Sequence, residues 1–145
     1  MAWEVREARD EHDVRRCWPV FRELRENITV EDDFVDRWKR QRDEGYRIVF
    51  IERAGEVQAV GGFRILHSMA WGRFLYLDDL AALTDQHGAG LGTAILRFVQ
   101  DEARREGCAA VHLDTGYQRH RAHKAYLRNG FILNTHHLVW EVDGA

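Results

Sequence analysis

His87-Gly88-Ala89-Gly90-Leu91-Gly92-Thr93 is the stretch on which the reading of this 145-residue chain turns. Residues 74–83 before it read as a strand. After it, Leu91, Ala94, Ile95, Phe98 and Val99 form an apolar stripe at helical spacing, closed by Arg104-Arg105 and Gly107. Glycines in a strand-to-helix turn let the backbone approach a ligand without interference from Cβ. The unpaired N–H groups of the helix's first turn then favour a phosphate in front of them. The same composition also suits a turn that is merely tight.

Spacing separates the phosphate motifs that share this physics. A P-loop needs Gly-Lys-Ser/Thr, and Gly92-Thr93 carries no lysine, so an NTPase is disfavoured. A dinucleotide fold needs G-x-G-x-x-G and an acidic residue about 20 positions on. Asp114 lies 22 positions after Gly92, but the glycines here run G-x-G-x-G. The motif also sits in the second half of a short chain, with too little sheet after it for a cofactor crevice.

Outward from the loop, the chain alternates helix and strand. Residues 3–8 have the period of a half-buried strand. Asp10 precedes a helical pattern of Val14, Trp18 and Phe21 as an N-cap, and Pro19 predicts a kink or break near Trp18. Thr29 with Asp32 reads as a capping pair for a second helix, which carries Phe34 and Trp38 on one face and stops at Gly45. Strands over 46–52 and 57–65 flank Arg53-Ala54-Gly55-Glu56, a hairpin signal. Beyond the long helix, residues 109–113 read as a buried strand, 121–129 as a short helix and 131–142 as a final strand. Strand, helix, strand implies a parallel pair with a right-handed crossover, so the sheet is mixed and the class α/β. One domain over residues 1–145 is expected, with no internal repeat.

Composition bounds the function. With 21 basic and 24 acidic residues the net charge is −3, which argues against a nucleic-acid partner. Hydrophobic residues at 45% and charged residues at 31% are an ordinary globular balance. No apolar run reaches the ~20 residues needed to span a bilayer, so no membrane partner is expected. The first ten residues have no apolar core of a signal peptide. Cys17 and Cys108 fit no disulfide framework or metal spacing and suit a reducing compartment, so a cytoplasmic location is expected.

The spacing of the glycine loop resembles the acyl-CoA pyrophosphate loop, R/Q-x-x-G-x-G/A, of the GNAT family of N-acetyltransferases. His87 stands where that family has Arg or Gln, and Gly90 and Gly92 fill the two small positions. Leu80-Ala81-Ala82-Leu83 is similar to the family's fourth strand. Residues 122–131, Ala-His-Lys-Ala-Tyr-Leu-Arg-Asn-Gly-Phe, look like its A-x-x-x-Y-x-x-x-G-F helix. The element order also follows the family, and the resemblance is strongest over residues 74–131. The run Leu113-Asp114-Thr115-Gly116, with Gln118-Arg119 and Ala122-His123, looks like a bacterial branch of uncertain substrate.

The resemblance implies a GNAT fold in which the parallel fourth and fifth strands splay apart. It implies acetyl-CoA as cosubstrate, an amine acceptor, direct attack in a ternary complex and a homodimer. The pantetheine arm would pair with the main chain of Leu80, Ala81 and Ala82, where a backbone N–H is the natural oxyanion donor. The pyrophosphate would meet His87, Gly88, Ala89, Gly90, Leu91, Gly92 and Thr93. Arg119 replaces a frequent asparagine that contacts the cofactor in the family. Tyr126 matches the family's general acid toward the departing thiolate. A tyrosine pKa near ~10 against a thiol near ~8.5 makes full transfer uphill by about 2 kcal/mol, so a hydrogen-bond donor to sulfur is the expected role. The alternative is a tyrosine that only packs on an amphipathic helix.

For the base, Asp78 and Asp79 are adjacent on one strand and so are expected on opposite faces. Asp78 is preferred, directly or through water, with Asp79 as the alternative. Either carboxylate could instead only bind the amine. Among the eight histidines, His120 and His123 are spaced i, i+3 and His136-His137 follow later, but no nearby Cys or Glu completes a zinc set, so no metal is expected. His123 and His137 are candidate acceptor-pocket residues. So are Phe34, Trp38, Met69 and Trp71, each of which has an equal reading as core. The competing hypothesis to an enzyme is a non-catalytic acyl-CoA-binding module.

Overall fold

The computed structural model describes residues 3–86 and 89–144. The chain falls into two compact units, Met1–Leu113 and Asp114–Ala145. The first holds a five-stranded sheet in the order β1 (Arg6–Ala8), β2 (Arg47–Arg53), β3 (Glu56–Ser68), β4 (Gly72–Ala82), β5 (Val111–His112). The first four strands are antiparallel, and β5 runs parallel to β4. This is the mixed α/β sheet expected.

Local chemistry accounts for most element boundaries. Asp10 caps α1 (Glu11–Arg16), its Oδ1 accepting from the Asp13 N–H at 2.9 Å. The break predicted at Pro19 is complete: Cys17 ends α1, and α2 (Trp18–Leu24) starts with the proline in its first turn, where no N–H is needed. The capping pair expected at Thr29 and Asp32 is not formed. Extended Val30 occupies the N-cap of α3 (Glu31–Asp43) without a side-chain bond. Three acidic residues in the first turn stabilise that end electrostatically instead. Two of them, Glu31 and Asp32, bind the Arg15 guanidinium at 2.8 and 3.0 Å. Between β2 and β3 the turn is only Ala54-Gly55, both at positive φ (52° and 80°), the geometry of a two-residue hairpin.

Gly61 and Gly62 show how β3 is sandwiched. A Cβ at Gly61 would meet Ile95 of α4 (Leu91–Arg105) at 2.6 Å, while one at Gly62 would meet the Tyr46 hydroxyl at 1.8 Å. Successive residues of a strand face opposite ways. One face therefore carries α4, whose Leu91, Ile95, Leu96 and Val99 are buried. The other carries α1–α3, with Val14, Phe21, Phe34, Trp38 and Tyr46 in one cluster with Ile48, Phe50 and Val60.

In the second unit the helix expected at 121–129 is α5 (His120–Arg128), ended by Gly130 at φ 89°. The strand expected over 131–142 is not formed. Residues 131–141 have no regular structure, and Ile132, Leu138 and Trp140 are 77%, 86% and 83% exposed. An apolar, β-branched run has strand propensity only in so far as it has a neighbour to pair with. No described residue of this unit is in a strand.

Candidate active site

The centre of the site is a bulge in β4. Phe63 pairs with Leu77 and Gly62 with Asp79, so Asp78 is an extra residue on β4. The alternation expected for Asp78 and Asp79 fails there, and the two carboxylates share a face. Asp79 accepts from the Tyr46 hydroxyl, on the side where Gly62 faces Tyr46, at 2.5 Å. Asp78 is held bidentately by Arg64, two residues from Gly62 on β3, at 2.8 and 2.9 Å. From the C-cap of α2, Arg25 donates through Nε to Asp79 at 2.9 Å and through Nη2 to the Asp78 carbonyl at 2.8 Å. Burial, then the Asp79 charge, pushes the Tyr46 hydroxyl well above its ordinary pKa, so it remains a donor. Burial also raises the Asp78 carboxyl, with Arg64 pulling the other way.

The pairing of β4 with its parallel neighbour ends before the bulge. Among the described residues only Leu75 with Val111 and Tyr76 with His112 are in register, while β4 runs on to Ala82. Leu80, Ala81 and Ala82 pair with Gly61, Val60 and Ala59 of β3. All three are half-buried, and Ala81 packs on the cluster beneath α1–α3. The separation of the fourth and fifth strands is thus present as a short ladder.

A 3₁₀ turn at Thr84–Gln86 follows β4. His87 and Gly88 lie outside the described residues. Ala89 is exposed, and Gly90, at φ 82°, is the N-cap of α4 with no side-chain cap. That left-handed conformation favours glycine. Leu91 is buried and anchors the helix start, whereas a Cβ at Gly92 would meet open space. Among the described residues the first turn of α4 is therefore uncapped and unobstructed at Gly90 and Gly92, which fits an anionic group held by backbone N–H donors. A groove of about 590 Å³ runs beside it, lined by Trp3, Val5, Ala89, Gly90, Thr93 and Ala94 among others.

Within the second unit, Arg119 is the N-cap residue of α5 and is exposed. Half-buried Tyr126 packs its ring edge-on to Phe131, with centroids 5.7 Å apart. His123 Nε2 lies 2.8 Å from the Gly116 carbonyl, and His137 Nδ1 lies 3.2 Å from Asp114. His120 and His123 have ring centroids 6.2 Å apart. Among the described residues no three His, Cys, Asp or Glu side chains gather as a metal set.

The aromatic frame expected for the acceptor is not assembled. Phe34 and Trp38 are core residues, because their helical spacing points both into the cluster under α3. Met69 and Trp71 sit at the β3–β4 hairpin tip, where Trp71 stacks on His112 at 3.7 Å. Sequence reasoning missed Arg25, Tyr46 and Arg64. Arg25 gives no local signal, whereas the Gly61-Gly62 pair inside a strand is the mark of a close approach that could have pointed to Tyr46.

The mixed sheet with a glycine turn after its fourth strand defines an α/β class of fold, and comparison with known proteins gives its family. Residues 11–131 match the model of the acetyltransferase (GNAT) family, and the chain belongs to that family. It is 26% identical over 120 residues to an uncharacterised N-acetyltransferase of Bacillus subtilis (strain 168), covering 82% of this chain and 84% of that one. It is 30% identical over 89 residues to an aminoalkylphosphonate N-acetyltransferase of Salmonella typhimurium, covering 59% and 55% respectively. Among solved structures, an aminoglycoside N-acetyltransferase in complex with CoA superposes with a TM-score of 0.83 at 12% identity, covering 96% of this chain and 93% of that one. Described as a transcriptional regulator, a Bacillus halodurans C-125 protein superposes at 0.85 with 18% identity, covering 97% and 99%. Both likenesses are of fold.

Proposed function

We propose that this chain transfers an acetyl group from acetyl-CoA to a primary amine, of a small molecule or an exposed protein amine, by direct attack in a ternary complex. The observation that carries the reading is the pairing of a short β4–β5 ladder with a glycine-started α4 next in the chain. Among the described residues β4 and β5 form no pair beyond Tyr76–His112, and Gly90 starts α4 with no side-chain cap. The main chain of Leu80, Ala81 and Ala82 would hold the pantetheine arm. Ala89, Gly90, Leu91, Gly92 and Thr93 would hold the pyrophosphate through their N–H groups, with His87 and Gly88 completing the loop. Arg119 is carried over as a further cofactor contact. Backbone amides, not bulk charge, must do this binding, because the chain is net −3. Acetyl-CoA supplies the acetyl group activated as a thioester.

Of the two carboxylates, Asp78 has the more open side chain, 21% exposed against 10% for Asp79. We assign Asp78 to the proton of the incoming ammonium, directly or through water, with Asp79 as the alternative. Tyr126 is assigned to donate a hydrogen bond to the departing sulfur, on the strength of its match to the family motif. A single domain over residues 1–145 is proposed, the family match over residues 11–131 including part of each compact unit. Two free cysteines agree with a cytoplasmic location. A homodimer is carried over from the family and is checked by light scattering; no nucleic-acid or membrane partner is proposed.

Calorimetry with acetyl-CoA, coupled to free-thiol release across a panel of amines, tests the function. Binding followed by amine-dependent thiol release is expected. Tight binding without release for any amine would make the chain a non-catalytic acyl-CoA module.

A further inference from the structure

Two carboxylates and two guanidiniums meet at the β4 bulge, and they are not equally open. Asp79 is closed over by Tyr46 and Arg25, its side chain only 10% exposed. Arg25 and Arg64 are 40% and 32% exposed. Both grip the same residue, one at the Asp78 carbonyl and the other at its carboxylate. Each spends Nε and Nη2 on these bonds, and neither Nη1 makes a hydrogen bond among the described residues. Glu44 acts on Arg64 only as a minor charge at longer range.

A guanidinium presents five donors in a planar fork suited to carboxylate and phosphate oxygens. A purely cationic acceptor brings no acceptor atom for the two Nη1 groups and meets both guanidiniums as like charges. An acceptor with its own anion finds the reverse: open donors for the anion, and Asp78 for the ammonium. We infer that the acceptor is a primary amine carrying an oxyanion, carboxylate or phosphonate, which Arg25 and Arg64 read beside Asp78. This deepens the transferase reading above and rests on it.

Thiol release measured as kcat/KM for short primary amines tests the inference. The probes are β-alanine and 2-aminoethylphosphonate, against ethanolamine as the neutral and ethylenediamine as the cationic comparison. The anionic amines should exceed ethanolamine by roughly 10- to 100-fold, as expected for hydrogen bonds to a charged group. Relative rates of the two anionic probes distinguish a planar from a tetrahedral anion. Arg64→Gln and Arg25→Gln should each lower the anionic-to-neutral ratio about tenfold or more, and Arg64→Lys should retain part of it. Circular dichroism establishes that each variant is folded, and either one suffices if the other is not. Equal losses for all amines, as from a role confined to holding the bulge, would overturn the inference and leave the transferase standing. So would a wild-type preference for ethanolamine or ethylenediamine. Bound acetyl-CoA with no thiol release from any amine overturns both.

Discussion

Tyr46 donates its hydroxyl hydrogen to Asp79 across 2.5 Å, and the same hydroxyl end of the ring leaves no room for a Cβ at Gly62. The two residues are 33 positions apart in sequence, and each is less than a tenth exposed. A buried carboxylate is tolerated only when charge and lone pairs are satisfied. Here Tyr46 and Arg25 do that, and they hold Asp79 beside the extra residue of the bulge.

Stability should report this contact in a graded way. Tyr46→Phe removes one donor to a buried carboxylate and should cost about 1–3 kcal/mol. Gly62→Ala should cost at least as much. Its Cβ would lie 1.8 Å from the Tyr46 hydroxyl, 2.5 Å from Cζ and 2.8 Å from Cε1, so the ring itself has to move. Urea unfolding midpoints measure both, and a Gly62→Ala protein as stable as wild type would contradict the packing described.

Acid sensitivity should trace to Glu102. Its side chain is 4% exposed and binds Arg47 at 2.6 Å and Arg105 at 2.5 Å. Hydrogen bonding from Arg105 first, then Arg47, holds the carboxyl below its usual range against the opposing effect of burial. The unfolded state thus binds the proton more tightly, so stability rises with pH through this window. The contribution is complete above roughly pH 4.3, the ordinary glutamate value. It is lost as pH falls through the lowered native value. Glu102→Gln should flatten the acid limb of a stability-against-pH curve, and an unchanged limb would assign the sensitivity elsewhere.

The two thiols should differ sharply. Cys17 is fully buried at the α1–α2 break, and burial pushes its thiol up to about 12. Cys108 is partly exposed, with its thiol raised more modestly by burial. A thiol-exchange reagent at pH 8 should therefore titrate one group slowly in the native protein and both in guanidinium. Mass spectrometry should place the native label on Cys108.

Turnover should depend on Tyr126. Tyr126→Phe removes only the hydroxyl, so kcat should fall about 100-fold or more while the acetyl-CoA dissociation constant holds. Equal kcat at saturating substrates would return Tyr126 to a packing role against Phe131.

The sequence was most informative where the deciding chemistry is local. Asp10, Pro19, Ala54-Gly55 and Gly107 act within a turn of themselves, through a cap, a missing N–H or a positive φ, and the boundaries they predict are close to those observed. The order of strands and helices up to α5 and the glycine turn follow from hydrophobic period and composition, which are also readable along the chain.

Only the folded chain decides the rest. Alternation placed Asp78 and Asp79 on opposite faces, and one extra residue in the β3–β4 register put them on the same one. Arg25 reaches Asp79 across 54 positions, and Arg64 reaches Asp78 across 14, so no local pattern announces either. The run after Phe131 has the composition of a strand yet is not one, since a strand exists only against a neighbour. Register, ion pairing and ladder formation are contacts between distant segments, and a residue's own neighbours in sequence carry no record of them.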